Sequence, residues 1–498
     1  MIKSDDDLEQ FTRFAHMGRR ALLGAGVGLG TIAAAEVLGL TRALGQGGRP
    51  SAAPAGGGIQ AEKGALGTGQ FAPKAKRAIA IHQMGAPSHV DLFDYKPTLV
   101  KMHGQELPPS VQGNARVSAM SGSQAAFTVL KPVAEFRQLG QSGRWLSDLL
   151  PFTGQIVDDL TFIHSLHTEH VNHEPASVFI HTGFQLPGRP SAGAWVNYGL
   201  GTDNANLPSF IVMKSQGITS GVAANANMWG SGFLPSHHQG VMFSPGEDPV
   251  LHVSNPDGLS SDWRREQLDA IGEMSRNQYG ISQDPEILSK IAQYEMAYRM
   301  QTSVPEAADL SNEPSYVLDM YGPDVHKPGS FARNCLLARR LMERGVKFVQ
   351  LIHTGWDHHA RIVQSLPGES KVVDQPSAAL VADLKQRGLL DDTLVTWGGE
   401  FGRTCFAQGA IDANTGRDHH GGNFTMWMAG AGLKPGIAYG KTDDFSYNIV
   451  ENPVTLHDLH ATIMHLMGID HTQLTFHYQG RDFRLTDVSG EVIKPILA

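Results

Sequence analysis

The chain has 498 residues, of which 41% are hydrophobic and 18% charged, and a formal net charge of -9. That length buries a substantial core, as one large α/β domain with insertions or as two domains, and the composition excludes extended disorder beyond the N-terminal region. The acidic balance, without a basic stretch long enough to follow a phosphate backbone, argues against a nucleic-acid partner, and two cysteines are too few for a disulfide framework.

The first element is not part of the fold. Gly18, Arg19 and Arg20 open a Gly- and Ala-rich apolar segment that runs to Leu40. Paired arginines ahead of a weakly hydrophobic stretch read as a twin-arginine export signal over residues 1–45, with a small-residue cleavage site at Ala43, Leu44 and Gly45. Glu36 and several glycines make it a poor bilayer span, so no stable membrane span is expected after cleavage. The mature chain is expected in the periplasm or outside the cell. Residues 46–75, rich in Gly, Ala and Pro, read as a flexible linker, and 76–498 as the folded domain.

A first buried strand is predicted at 77–84, running into a Gly-Pro turn that carries His89, Asp91 and Asp94. A helix-prone region follows near 145–150. Further strands are expected at 160–164, 211–213, 347–352 and 393–397, with helices at 284–300, 331–343 and 377–387, the last closed by Gly388. Alternation of helices with short apolar strands predicts an α/β fold whose mostly parallel central sheet is covered on both faces. Residues from about 215 to 314 read as an insertion over the carboxyl edge of that sheet, a candidate substrate lid. Cys335 falls on the apolar pattern of a helix, and Cys405 has no base beside it in sequence.

Histidines recur at 164, 167, 170 and 173, and Pro175 places His173 near the positive end of a helix, where an oxyanion can bind. Three later clusters adjoin predicted strands: GWDHH at 355–359, GGEFGR at 398–403 and RDHHGG at 417–422. Strand ends are where open α/β sheets build their sites. Ionised carboxylate with neutral imidazole suits a divalent cation such as Zn or Mn, whereas an all-oxygen set favours Ca. A metal centre of this kind clamps a tetrahedral oxyanion, so sulfate and phosphate esters, of a small molecule or a glycan, are the first substrates to consider. Arg403 and Arg417 flank the clusters, either to pair with such an oxyanion or as structural ion pairs. Trp356 and Trp397 are candidates for stacking on a sugar or for burial at strand ends.

The stretch from His173 to Gly183, with its Pro two residues on and its Thr-Gly ending, resembles the nucleophile segment of sulfatases. Residues 389–402 are similar to the sulfatase stretch that ends in a metal-binding loop, and 423–436 and 455–469 to the final strand and helix. Over most of 77–475 the chain resembles the sulfatase-like, domain-of-unknown-function group (family 1501) of exported bacterial proteins in the alkaline phosphatase superfamily. That resemblance implies an α/β sandwich with one or two metal ions, Zn, Mn or Ca. Asp357 and His359 would form one ligand pair, Glu400 would stand where a ligand Asp usually stands, His420 or else His419 would be the late ligand, and Asp91 the early one.

The departures are informative. His173 occupies the place of the sulfatase cysteine, Ser177 replaces the motif arginine, and neither cysteine begins such a motif, which excludes a formylglycine sulfatase. Phe401 stands where relatives often place a ligand histidine. The expected activity is therefore an exported metal-dependent hydrolase of sulfate or phosphate esters, with His173 or Asn172 facing the substrate and either His173 or a metal-bound water attacking; the water is the preferred choice. The alternative is a noncatalytic exported binding protein, with polysaccharide handling as one such role, that keeps the fold without the nucleophile.

Overall fold

Ile79 and Ile81 point to one side of the first strand, Ala78 and Met84 to the other, and all four are buried. A strand apolar on both sides has to be covered on both faces. The computed structural model describes residues 63–498, apart from 68, 114–116, 220, 245–249, 251–254 and 256–257. The expected export signal at 1–45 and the expected linker up to residue 62 lie outside the described residues.

In chain order the first twelve strands are β1 (Arg77–Met84), β2 (Phe136–Leu139), β3 (Arg144–Ser147), β4 (Leu160–His167), β5 (Phe210–Gln216), β6 (Val241–Phe243), β7 (Phe348–Thr354), β8 (Thr393–Gly398), β9 (Gly402–Gln408), β10 (Gly416–His420), β11 (Phe424–Ala429) and β12 (Ile437–Tyr439). The central sheet runs β12-β4-β11-β8-β1-β7-β5-β6, with Val454–Thr455 added beside β4. Its pairings are parallel except those of β11, which is antiparallel to β4 and β8. The fold is therefore mixed α/β with a mostly parallel central sheet.

The main helices are α1 (His173–Thr182), α2 (Ala192–Leu200), α3 (Ser261–Ser282), α4 (Pro285–Ala308), α5 (Phe331–Glu343), α6 (Ile362–Gln386) and α7 (Leu456–Leu466). Leu336 and Leu341 of α5 and Leu380 and Leu384 of α6 pack with Ile79, Ile81, Val349 and Trp397 on one face. Trp195 of α2 and Leu459 and Met464 of α7 pack with Met84, Ile352 and Met426 on the other. Cys335 and Cys405 are free and buried, and burial pushes the Cys405 thiol up to about 12.

Four local expectations change. Residues 145–150 form not a helix but the end of a β2–β3 hairpin, closed by Gly140 and Gly143 at positive φ. Helix α6 begins well before 377, because burial of Leu366, Val373 and Leu380 holds it across Pro367 and Pro376. The described part of the expected linker is tied to the fold: Ala65 and Leu66 donate to the Tyr198 and Gly199 carbonyls, and Lys74 to that of Leu466. The segment read as an insertion contributes β6 to the sheet edge, and Met296 and Met300 of α4 line one cavity with Phe210 of β5 and Val241 of β6.

Candidate metal centre

Parallel strands deliver their carboxyl ends to one edge of the sheet, so the loops after β1, β4, β7 and β8 emerge together. His173 is the first residue of α1, reached from β4, and Asp357 and His359 follow β7. The β9–β10 hairpin brings His419 to the same place. One ligand atom from each of His173, Asp357, His359 and His419 lies within 4.8 Å of the others. The nearest approaches are 2.8 Å between His359 Nε2 and His419 Nε2, 2.9 Å and 3.3 Å from these to Asp357 Oδ1, and 3.1 Å from His173 Nε2 to Asp357 Oδ1.

The far side of each imidazole decides what the near side offers. His173 Nδ1 lies 2.5 Å from Glu400 Oε1, His359 Nδ1 2.5 Å from Gln408 Oε1, and His419 Nδ1 2.6 Å from the Val171 carbonyl. All three partners accept, so each Nδ1 carries a proton and each Nε2 faces inward, where it is a ligand atom once it carries none. Two imidazole nitrogens 2.8 Å apart beside a carboxylate either share a proton or face a cation between them. Ligands around one tetrahedral cation at about 2.0–2.1 Å stand roughly 3.3 Å apart, close to the separations observed, so the residues fit a small divalent metal.

The electrostatics differ between His173 and His419. Burial raises the Asp357 carboxyl, but its contacts with His173, His359 and His419 and the charge of Arg403 outweigh it and hold the group ionised far below the usual carboxylate range. Burial lowers His419 to about 4, assisted by Arg403, His173 and His359 against the bond to Asp357. His173 is pulled down by burial and pushed above its ordinary value by its bonds to Asp357 and Glu400. Glu400 is raised by burial yet held at about 2 by the bond from His173 and by the charges of His173 and His82.

Not every residue singled out from sequence converges. Glu400 lies behind His173, where it also accepts the Gly85 N–H at 3.0 Å, so it orients an imidazole instead of facing the group. Asp91 is wholly buried in an ion pair with Arg417, at 2.7 Å and 3.0 Å, and takes the Val133 N–H as well. His420 turns to the Tyr447 carbonyl at 2.8 Å and stacks on that ring. Asn172 is exposed just ahead of α1 and caps nothing with its side chain. Arg403 donates Nε–H to the Ala86 carbonyl, Nη1–H to that of Arg417, and Nη2–H to Asp357 at 2.7 Å, which makes it a buried clamp on the Asp357 loop. Phe401 packs its ring on His173 and His419 as an apolar wall. Ser177, Trp356 and Trp397 are buried, so neither indole is open for stacking on a sugar.

Gln408 escaped the reading of the sequence, since a glutamine inside a strand carries no signal until its partner is known. His419 was an alternative to His420, and the register shift between Arg417 and His419 on β10 selects it.

A family model described as "Protein of unknown function (DUF1501)" matches residues 75–497. Among solved structures, the chain is similar to the PsFucS1 sulfatase from Pseudoalteromonas sp. (12% identity, TM-score 0.32, covering 79% of this chain and 68% of that one). It is similar also to the phosphonate monoester hydrolase SpPMH from Silicibacter pomeroyi (13%, TM-score 0.31, 70% and 71%). A third is the alkaline phosphatase from the Antarctic bacterium TAB5 (10%, TM-score 0.27, 80% and 99%). Likenesses this distant assign no role to any residue. No curated protein matches the chain.

Proposed function

This chain belongs to the DUF1501 family, whose description assigns no activity, and from its own residues we propose that it is an exported, metal-dependent hydrolase of sulfate or phosphate esters. The observation that carries the reading is the set of three imidazoles whose Nδ1 protons are tied to Glu400, Gln408 and the Val171 carbonyl while their Nε2 atoms converge beside Asp357. His173, Asp357, His359 and His419 would hold the ion, and three imidazoles favour Zn or Mn over Ca. Such an ion, when bound, supplies a Lewis acid for the ester oxygens and a water of lowered pKa.

The chain's own groups support the rest. Arg403 and the three imidazoles keep Asp357 anionic, and Glu400 fixes the ring plane of His173. The amino end of α1, with Asn172 and Glu174 exposed beside His173, presents backbone N–H groups and a positive dipole end to an oxyanion. Phe401 excludes water from one side. Export by the 1–45 segment, residues 76–498 as the catalytic domain, and the sulfatase-like motifs at 173–183 and 389–402 belong to the same proposal.

One observation favours a noncatalytic binding protein instead. His173, in the place of the sulfatase cysteine, lies between Asp357 and Glu400, and Ser177 and both cysteines are buried. Elemental mass spectrometry of the purified protein, followed by arylsulfate, phosphomonoester and phosphodiester screens with the metal found, separates the two. About one equivalent of Zn or Mn, lost in Asp357→Ala and His419→Ala, with metal-dependent turnover, is the expected result. Metal without turnover of any ester, or no metal in the wild type, overturns the hydrolase and moves the chain to the binding class.

A further inference from the structure

The β2–β3 hairpin folds two aromatic rings over a third. Tyr95 stacks on Phe136 with ring centroids 5.2 Å apart and meets Trp145 at 4.5 Å, while Trp145 keeps 43% of its surface exposed. Beside this wall lies a recess of about 190 Å³ lined by Asp94, Tyr95, Arg144, Trp145, Phe162 and His164. Its volume suits a single six-membered ring with its substituents, and its polar groups show what kind of ring.

The one hydrogen bond of the Arg144 guanidinium among the described residues is from Nη2–H to the Ser142 carbonyl at 3.3 Å, which leaves donors unused. Asp94 Oδ1 lies 3.3 Å from Lys96 Nζ, while its other oxygen accepts from the Thr442 and Ser446 hydroxyls. His164 is bonded through Nδ1 to the Thr425 hydroxyl at 3.0 Å, and burial lowers its pKa, so it is neutral. Donors and acceptors thus stand side by side, and the Asp94 charge is balanced by Lys96. A bare anion would meet the Asp94 carboxylate, and a purely apolar guest would desolvate Arg144 without compensation. Adjacent hydroxyls on a ring whose C–H face lies on an aromatic wall satisfy both sets of groups.

We propose that this recess is a carbohydrate subsite that takes one neutral hexopyranose residue of a glycan, with its C–H face on Trp145 and Tyr95 and its hydroxyls shared between Arg144 and Asp94. Strand β4 runs from the recess, at Phe162 and His164, toward His173, so a glycan chain held here would be anchored to the element that feeds the metal group.

The test uses the full chain treated with EDTA, so that failure of the metal reading leaves it untouched. Binding of cellohexaose, mannohexaose, maltohexaose and trigalacturonate is followed by titration calorimetry and by tryptophan fluorescence. At least one neutral hexaose should bind, about tenfold or more weaker in Trp145→Ala, and nearly unchanged in Trp145→Phe, which keeps a stacking face. Arg144→Gln, which leaves the aromatic wall intact, should weaken binding severalfold even where Trp145→Ala disturbs the hairpin. No binding of any neutral hexaose, equal binding in Trp145→Phe, Arg144→Gln and Trp145→Ala, or tighter binding of trigalacturonate than of every neutral sugar overturns the proposal.

Discussion

At the scale of single residues, the difference between a ligand and its support is what each acid touches. Glu400 binds the outer nitrogen of His173, so Glu400→Gln should leave the protein folded and weaken metal binding by about 10–100-fold, read by competition with a chromophoric chelator. Affinity unchanged by that substitution would remove the orienting role. Asp91 is paired with Arg417, both wholly buried. Asp91→Asn leaves a buried guanidinium without its counter-charge and should cost about 3–5 kcal/mol in urea unfolding while metal stoichiometry stays at the wild-type value. Loss of metal from a folded Asp91→Asn would return Asp91 to the ligand set. A third residue reports on pH: His460 donates Nε2–H to the Ile180 carbonyl at 2.8 Å, its Nδ1 is buried without a partner, and burial lowers its pKa to about 4. An unfolded histidine titrates near 6.5, so between about pH 6.5 and 4 the unfolded chain binds a proton that the folded chain refuses. Its stabilising contribution is full above about 6.5 and is lost as pH falls toward 4, at up to about 1.4 kcal/mol per pH unit. His460→Gln should make the dependence of unfolding free energy on pH shallower by about one proton in that window; an unaltered slope would mean the folded protein accepts the charge.

At the scale of elements, residue types were legible in sequence and their facing was not. The 355–359 and 417–422 clusters carried the right chemistry, yet choosing between His419 and His420 needs the parity of β10, and a shift of one residue moves every side chain to the other face. The same limit hid Gln408 on the neighbouring β9, and it left open whether Glu400 meets the ion or an imidazole. Propensity misled at β3, where pairing with β2 overrides a helix-prone stretch, and at α6, where buried leucines outweigh two prolines. How the hairpin seats against the β7 loop also depends on contact: a Cβ at Gly416 would lie 2.1 Å from the backbone carbon of His359. Gly416→Ala must therefore part β10 from the His359 loop, and overpacking of this kind costs about 1–3 kcal/mol. Metal affinity should fall with stability, whereas a substitution that lowered the urea midpoint alone would show that the hairpin can move without carrying His419 with it.

At the scale of the whole molecule, the four candidate ligand residues come from three parts of the chain distant in sequence: the β4–α1 junction, the loop after β7 and the β9–β10 hairpin. The sheet was predictable because alternating helices and apolar strands dictate parallel pairing. The convergence was not, because it depends on the order β4-β11-β8-β1-β7, in which the antiparallel β11 separates β4 from β8. An ion bound at their meeting point ties these three parts together in the folded state and has no preformed site in the unfolded one. Binding to the folded state alone stabilises by about 4 kcal/mol at a free metal concentration near a thousand times Kd. Chelation should therefore lower the thermal midpoint of the wild type, and restoring Zn or Mn should return it. Asp357→Ala, tested in the same way, should show a midpoint that neither chelator nor metal moves. If the wild type is equally indifferent to both, the inward-facing imidazoles hold no ion, and the proposed hydrolase loses its centre.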